Sequence, residues 1–236
     1  MNAMTAIYRR ELQAYFNSPM AYMFISVFLL LTGWFFFSSF FLAGQADIRG
    51  ALELIPLLFV FFAPALTMRL ISEEKRNGTL ELLVTYPVTD LQLILGKYLA
   101  ALSLLMVAVA GTLTYTITVA WLGNLDGGVA FTGYLGMILM GAAYTAVGMY
   151  ASSLTDNQFV GFVLGIAFTL GLFLMDKVLF FVPTALVGFF EFLSIDAHYH
   201  SMIRGVVDTR DLIYYFSLIA LGVLLASRSL SRRKWN

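Results

Sequence analysis

The sequence predicts an all-α, polytopic membrane protein with six transmembrane helices, and three observations lead to this fold class. Hydrophobic residues make up 60% of the 236 residues and charged residues 12%, whereas soluble domains have about 45–50% apolar and about 25% charged residues. Mean hydropathy is +0.85. Apolar runs near the length of about 20 residues that crosses a bilayer recur six times along the chain.

Net charge and cysteine content exclude several classes of partner and site. The formal net charge is zero, so no basic excess points to nucleic acid. The chain has no cysteine, which excludes disulfides, thiolate metal sites and cysteine nucleophiles. We predict no catalytic, cofactor-binding or metal-binding residue in this chain.

The first predicted element is an amphipathic helix over residues 5–17. Its apolar residues recur at near-helical spacing: Ile7, Tyr8, Leu12, Tyr15 and Phe16. Such a helix lies along the membrane surface. Two roles stay open for it, simple anchoring and support of a cytoplasmic partner.

The six spans follow in one predicted transmembrane domain over 1–236. Pro19 suits the first turn of the first span, and the second span contains Pro56 and Pro64, which predict kinks. The first span has about 24 apolar residues, longer than the apolar core of a signal peptide, so we interpret it as retained. The predicted spans are 20–43, 51–71, 91–122, 129–154, 159–182 and 212–227.

The positive charges predict the orientation. Six spans place both termini on one side, and ten of the 14 Lys and Arg residues fall with the termini. The four on the other side are Arg49, Lys177, Arg204 and Arg210. The positive-inside rule therefore places both termini in the cytoplasm, as expected for a multi-pass protein of the inner (cytoplasmic) membrane.

The segment 72–90 is a polar loop between the second and third spans. Asn77-Gly78 is a turn signal, Thr79 can cap a helix, and Pro87 ends it. The resulting short helix, about 80–86, is too apolar to be exposed to water on all sides. It either leans on its own membrane domain or docks a cytoplasmic partner.

The segment 183–211 is too polar for a seventh span and too apolar for an ordinary loop, so re-entrant or surface helices are expected on the extracytoplasmic side. Within it, Asp196 and His200 are four residues apart, and His198 is nearby. This spacing permits a metal site, but polar caps at a water interface explain the residues better.

Small and aromatic residues in the spans leave further alternatives open. Gly161 and Gly165 form a G-x-x-x-G pair that predicts close helix packing, within the chain or across a dimer. The aromatic run over 33–41 fits a path for a lipid-like substrate or a lipid-facing belt equally well.

One stretch resembles a known family. The run RLISEEKRNGTLELLVTYPVTDLQLILGKYLA, residues 69–100, is similar to the first cytoplasmic loop of type-2 ATP-binding-cassette exporter permeases. The shared features are an acidic pair, a basic residue, Gly-Thr-Leu-Glu, a proline and a Gly-Lys pair entering the third span. The six spans and the amphipathic first helix also fit, and the chain looks closest to the branch of gliding-motility and copper-enzyme-maturation systems.

The resemblance implies a permease subunit of an exporter that pairs with a second permease chain, identical or related, in the lipid membrane. A separate ATPase subunit would bind ATP and Mg²⁺, since no Walker A loop occurs in this sequence. The residues implied at the ATPase interface are Arg9, Arg10, Glu11, Glu73, Glu74, Arg76, Gly78, Thr79, Leu80, Glu81, Leu82, Leu83 and Pro87.

Two other function classes are alternatives to a permease subunit. An ATP-independent membrane scaffold would keep the loop without driven transport. An intramembrane protease is less favoured, because H-E-x-x-H and G-x-S-x-G are both absent from the sequence.

Overall fold

The computed structural model describes residues 3–43, 48–78, 88–123, 125–178, 181 and 183–231. This part of the chain contains helices and no strand, which confirms the all-α class. The helices are α1 (Ala3–Asn17), α2 (Pro19–Ala43), α3 (Arg49–Leu52), α4 (Ile55–Thr67), α5 (Ser72–Arg76), α6 (Asp90–Leu122), α7 (Gly127–Ser153), α8 (Gln158–Lys177), α9 (Thr184–Leu193), α10 (Ile195–Ile203) and α11 (Thr209–Ser231).

Among the described residues, six helical segments are long and apolar enough to cross a membrane, as predicted. They are α2, the α4–α5 segment from Ile55 to Arg76, α6, α7, α8 and α11. Polar side chains begin several of these helices: Thr89, Asp126 and Asn157 each accept a backbone N–H bond at the start of α6, α7 and α8. Each cap satisfies backbone donors that have no partner within the helix.

α7 is the centre of the bundle. It packs against α4, α6, α8, α10 and α11. In its most apolar 18-residue stretch 78% of the residues are buried, compared with 17% in the corresponding stretch of α8. Small residues permit this close packing. On α11, for example, a Cβ atom added at Gly222 would lie 2.9 Å from the backbone oxygen of Ala146.

Several predicted span boundaries differ from the helix ends in the structure: the sixth span, predicted over 212–227, corresponds to α11 over Thr209–Ser231, and the second and fifth differ as follows. The second span is not one helix from 51, because α3 ends at Leu52 and α4 begins at Ile55 with Pro56 in its first turn. Pro56 therefore begins a helix, where its missing N–H has no consequence, and only Pro64 lies inside one. The fifth predicted span corresponds to α8, which ends at Lys177 rather than at 182. Lys177 forms an ion pair with the preceding residue, Asp176.

The stretch between α8 and α11 folds into two short helices, α9 and α10. α10 packs on α7 and buries Ile195, Tyr199 and Met202. The Tyr199 hydroxyl donates to the Leu52 carbonyl at 3.2 Å, and the Tyr215 hydroxyl of α11 donates to the Ile195 carbonyl at 3.0 Å. α10 is thus attached to three other parts of the bundle.

Candidate partner-docking site

Four ionised side chains meet where α1, α5 and α6 come together, and we call them the ionic cluster: Arg10, Glu11, Glu74 and Lys97. Lys97 Nζ lies 2.8 Å from Glu74 Oε1 and 3.1 Å from Glu11 Oε1. Arg10 Nη2 lies 2.8 Å from Glu11 Oε1 and 3.3 Å from Glu74 Oε1. The Lys97 side chain is 2% exposed, so its ammonium depends on these carboxylates for compensation.

Burial and charge act in opposite directions on Glu11. Burial raises the pKa of Glu11, but attraction and hydrogen bonds from Lys97 and Arg10 outweigh burial, so the pKa lies below its ordinary value. The hydrogen bond to Glu11 raises the pKa of Arg10. Both groups are therefore held in their charged forms.

α1 lies directly on α6, and Gly96 permits the contact. A Cβ atom at Gly96 would be 2.9 Å from Ile7 Cγ2 and 3.0 Å from the Met4 backbone oxygen. About two turns further along α6, the hydroxyls of Tyr8 and Ser103 are 3.1 Å apart. Gly96 therefore leaves space for α1, and the next residue, Lys97, provides a positive charge that pairs with Glu11 of α1.

The start of the 72–90 loop is attached to the end of α7. Ser152 Oγ accepts the backbone N–H groups of Ile71 and Ser72, each at 3.2 Å, and donates to the Met68 carbonyl at 3.0 Å. The Lys75 ammonium donates to the Ser153 carbonyl. α5 is therefore joined to the central helix and, through Glu74, to the ionic cluster.

The other end of the loop is also held in place. Thr89 and Gln92 form a reciprocal capping box, with the Gln92 N–H 3.3 Å from Thr89 Oγ1 and the Thr89 N–H 3.2 Å from Gln92 Oε1. Ser231 Oγ at the end of α11 donates to Asp90 Oδ2 at 2.8 Å. Both ends of the loop thus have defined positions on the bundle.

The predicted interface residues divide into three groups. Arg10, Glu11 and Glu74 are brought together in the ionic cluster, and Glu73 pairs with Arg69 at 3.0 Å. Arg9, Arg76 and Gly78 are exposed, and Gly78 has a φ of 66°, which suits glycine in the predicted turn. The rest lie outside the described residues: Thr79, Leu80, Glu81, Leu82, Leu83 and Pro87.

The family follows from comparison of the whole chain. Residues 4–230 match the model of a family described as ABC-2 family transporter protein. The chain belongs to the ABC-2 transporter family. No curated protein sequence matches it significantly.

Membership of the ABC-2 family has three direct consequences. The chain is a multi-pass membrane protein and a component of membrane transport, and membrane proteins of this family work with ATP-binding partner subunits. The family is generally non-catalytic, which agrees with the predicted absence of an enzyme activity.

The sequence did not predict the role of Lys97 in this ABC-2 family protein. The Gly-Lys pair is part of the family resemblance, but the resemblance does not place Lys97 among the interface residues. A signal was present, because a single lysine two turns into an apolar helix needs a counter-charge. Glu11 and Glu74 were both singled out, but nothing in the sequence showed that they share one cation.

Both histidines lie in α10, and His198 contacts the neighbouring helix α11. His198 Nδ1 lies 2.7 Å from Asp211 Oδ1, and its ring stacks on Tyr214 with centroids 4.0 Å apart. Asp196 lies 2.8 Å from Lys177 Nζ and 3.8 Å from His200 Nε2. His198 and Asp196 therefore take separate partners, and the described residues contain no group of three or more potential metal ligands.

The Gly161 and Gly165 pair faces α4 of the same chain. A Cβ atom at Gly165 would lie 2.8 Å from Pro64 Cβ, and one at Gly161 would lie 3.5 Å from the Met68 carbonyl oxygen. The hydroxyl of Thr169, one turn beyond Gly165, donates to the Val60 carbonyl at 3.0 Å. These contacts give the two glycines a packing role inside the chain.

Proposed function

We propose that this ABC-2 family protein is the permease subunit of an exporter, driven by a separate ATPase that docks at the end of the bundle formed by α1, α5 and the 72–90 loop. The observation that carries the proposal is the ionic cluster, which joins α1, α5 and α6 through Lys97. A displacement applied to the loop would therefore be delivered to two spans together.

The contacts of the loop support a mechanical role. One end is bonded to α7 through Ser152 and the other to α11 through Ser231. An element with fixed ends transmits a push, whereas a free linker absorbs it. ATP and Mg²⁺ belong to the ATPase in this proposal, and a second permease chain, identical or related, completes the pathway in the cytoplasmic membrane.

The structure separates two kinds of interface residue. Glu74 is 14% exposed and bonded inside the chain, so Glu74→Ala disturbs the ionic cluster as well as any partner. Arg76 is exposed on the last turn of α5, and its loss affects an outer contact first. Arg76 is therefore the better residue for testing docking alone.

The test is purification of the tagged chain from its native membrane in mild detergent, with mass spectrometry of the proteins that stay bound. We expect an ATPase in about equal ratio, whose ATP hydrolysis rises when the complex is placed in lipid. Arg76→Ala should reduce that stimulation about three- to tenfold, as loss of an interface charge does. Leu83→Asp, in the predicted docking helix, should release the ATPase.

The matched control is Arg210→Ala, which removes an exposed positive charge beyond the opposite end of the bundle. It should leave stimulation unchanged. Recovery of the chain without an ATPase, or equal stimulation in wild type, Arg76→Ala and Leu83→Asp, would reject the proposal and favour the ATP-independent scaffold. The membrane subunits recovered show whether the second chain is identical.

A further inference from the structure

Two cavities lie next to each other where α1, α2 and α4 meet. The first, here the polar cleft, has a volume of about 320 Å³ and is lined by polar residues that include Tyr15, Ser18, Arg69, Glu73, Glu74 and Asn77. The second, here the apolar groove, has a volume of about 430 Å³ and a wholly apolar lining that includes Met23, Phe24, Val27, Phe61, Ala65 and Phe162. Met20 lines both.

Together the cavities have the polarity of an amphiphile. The polar cleft lies between α1 and the charged ends of three spans, with lining residues such as Arg69, Glu74 and Lys97, whereas the apolar groove lies between α2 and α4 with Phe162 of α8 at its side. Each volume falls in the range of about 300–1,000 Å³ typical of small-molecule sites. A molecule with a polar head and an acyl chain would fill both in one orientation.

Arg69 stands at the boundary between the cavities. Its Nε and Nη2 donate to Glu73 at 3.0 and 3.3 Å, but its Nη1 contacts Met20 Sδ at 3.2 Å. A thioether is a weak acceptor, and a phosphate oxygen at this position would form a charge-assisted bond instead. The Arg69 side chain is 42% exposed, so such a group has access to it.

The other charges of the polar cleft select the headgroup. Its ionisable lining has two cations, Arg69 and Lys97, and three carboxylates, from Glu11, Glu73 and Glu74. Arg10 lies 2.8 Å from Glu11, so the cations and carboxylates around the cleft balance, and a headgroup that carries one charge of each sign keeps that balance whereas a purely anionic one does not. In a phosphoethanolamine head, the phosphate would accept hydrogen bonds from Arg69. The ammonium has three N–H donors, which would bond to a carboxylate such as Glu73 and to the Asn77 side chain.

We propose that the polar cleft and the apolar groove together bind one phospholipid with a phosphoethanolamine headgroup, taken from the leaflet on the side of α1. The recognition requires three groups: Arg69 for the phosphate, the cleft carboxylates for the ammonium, and the groove for an acyl chain. Glu11, Glu73 and Glu74 line the cleft and are also among the residues implied at the ATPase interface, but lipid binding is measured on the chain alone, so failure of the proposed ATPase contact would leave that measurement unchanged.

The experiment compares lipids that differ in one group. The full chain is delipidated in detergent, and native mass spectrometry measures binding of dioleoyl-phosphatidylethanolamine, -phosphatidylcholine and -phosphatidylglycerol. We expect phosphatidylethanolamine to bind at least about tenfold more tightly than phosphatidylcholine, whose quaternary ammonium donates no hydrogen bond. Glycerophosphoethanolamine, which has the head without the chains, should not compete at equal concentration.

Variants test each half of the site separately. Arg69→Gln should lower phosphatidylethanolamine affinity about tenfold or more, and Ala65→Phe should do so by filling the groove while leaving the cleft intact. Arg76→Gln is the matched control, because it removes a nearby exposed charge that lines neither cavity, and it should bind like wild type. Size-exclusion profiles verify that each variant is folded.

Four results would overturn the proposal. They are equal affinity for the ethanolamine and choline lipids, wild-type binding by Arg69→Gln and Ala65→Phe, full competition by glycerophosphoethanolamine, and capture of a second copy of the chain instead of lipid by a photocrosslinker placed at Val27 in native membranes. The last would show that protein covers the groove.

Discussion

Replacing Lys97 by methionine tests whether the ionic cluster stabilises the protein. Methionine has a similar length and no charge, so the change removes the ammonium and leaves an apolar side chain of comparable size on α6. Glu74 and Glu11 then lose a partner at 2.8 and 3.1 Å. Their side chains are only 14% and 15% exposed, so water compensates little of the loss.

The size of the effect follows from burial and from the charge that remains. Removing one partner of a buried ion pair costs about 3–5 kcal/mol. Arg10 stays 2.8 Å from Glu11 and 3.3 Å from Glu74, so we expect a smaller loss, about 2–3 kcal/mol. For a chain of this size that lowers the melting temperature by about 4–12 °C.

The assay is thermal unfolding of the purified protein in one detergent, followed by size-exclusion fluorescence. A triple variant, Lys97→Met with Glu11→Gln and Glu74→Gln, removes the unpaired carboxylates and should recover most of the loss, because the charge that remains, on Arg10, is on a side chain 56% exposed to water. Arg204→Met, at an exposed position, is the control and should melt like wild type. A Lys97→Met melting temperature within about 1 °C of wild type, or a triple variant no more stable than the single one, would refute the reasoning.

Two more predictions concern α1. Gly96→Val should displace α1, because the backbone oxygen of Met4 would lie 3.0 Å from the new Cβ atom; we expect a loss of about 1–3 kcal/mol in thermal unfolding, with faster proteolysis of α1. Gly171→Val, where no atom lies within 4 Å of an added Cβ, should change neither readout, and equal behaviour of the two variants would argue against the contact. Since the pKa of Glu11 lies below its ordinary value of 4.5, its stabilising contribution is present above that pH and is lost as the pH falls through the lowered pKa. Glu11→Gln should flatten this acid limb of a melting-temperature profile, and an unchanged limb would contradict the assignment.

The fold could be predicted from the sequence because its signals are local. Apolar length identified the six membrane helices, and α6 begins at Asp90, next to the predicted start at 91. The start of α4 was harder to predict, because Pro56 is compatible with a kink inside a helix and with a first turn. The end of α3 at Leu52 shows that Pro56 lies in the first turn of a new helix. The pattern of apolar residues does not mark this break between α3 and α4.

The candidate site could be predicted only in part, because its key contacts join residues far apart in sequence. The loop drew attention through its charges, and Glu11 and Glu74 were singled out. Their common partner Lys97 could not be found, since periodicity does not report which residues on different helices meet. Ser152 was missed for the same reason: a serine near a helix end is common, and its bonds to Ile71 and Ser72 depend on how α7 meets α5.

The position of Lys97 has a consequence for biogenesis. Glu11 and Glu74 both precede Lys97 in the chain, so during synthesis the two carboxylates leave the ribosome before the lysine does. A lysine entering a membrane helix is costly on insertion scales, and here its counter-charges have already been made. α1 cannot settle until Gly96 and Lys97 arrive, because the surface on which it rests belongs to the third membrane helix. α1 is therefore synthesised before the third membrane helix and reaches its final position only after that helix has been made.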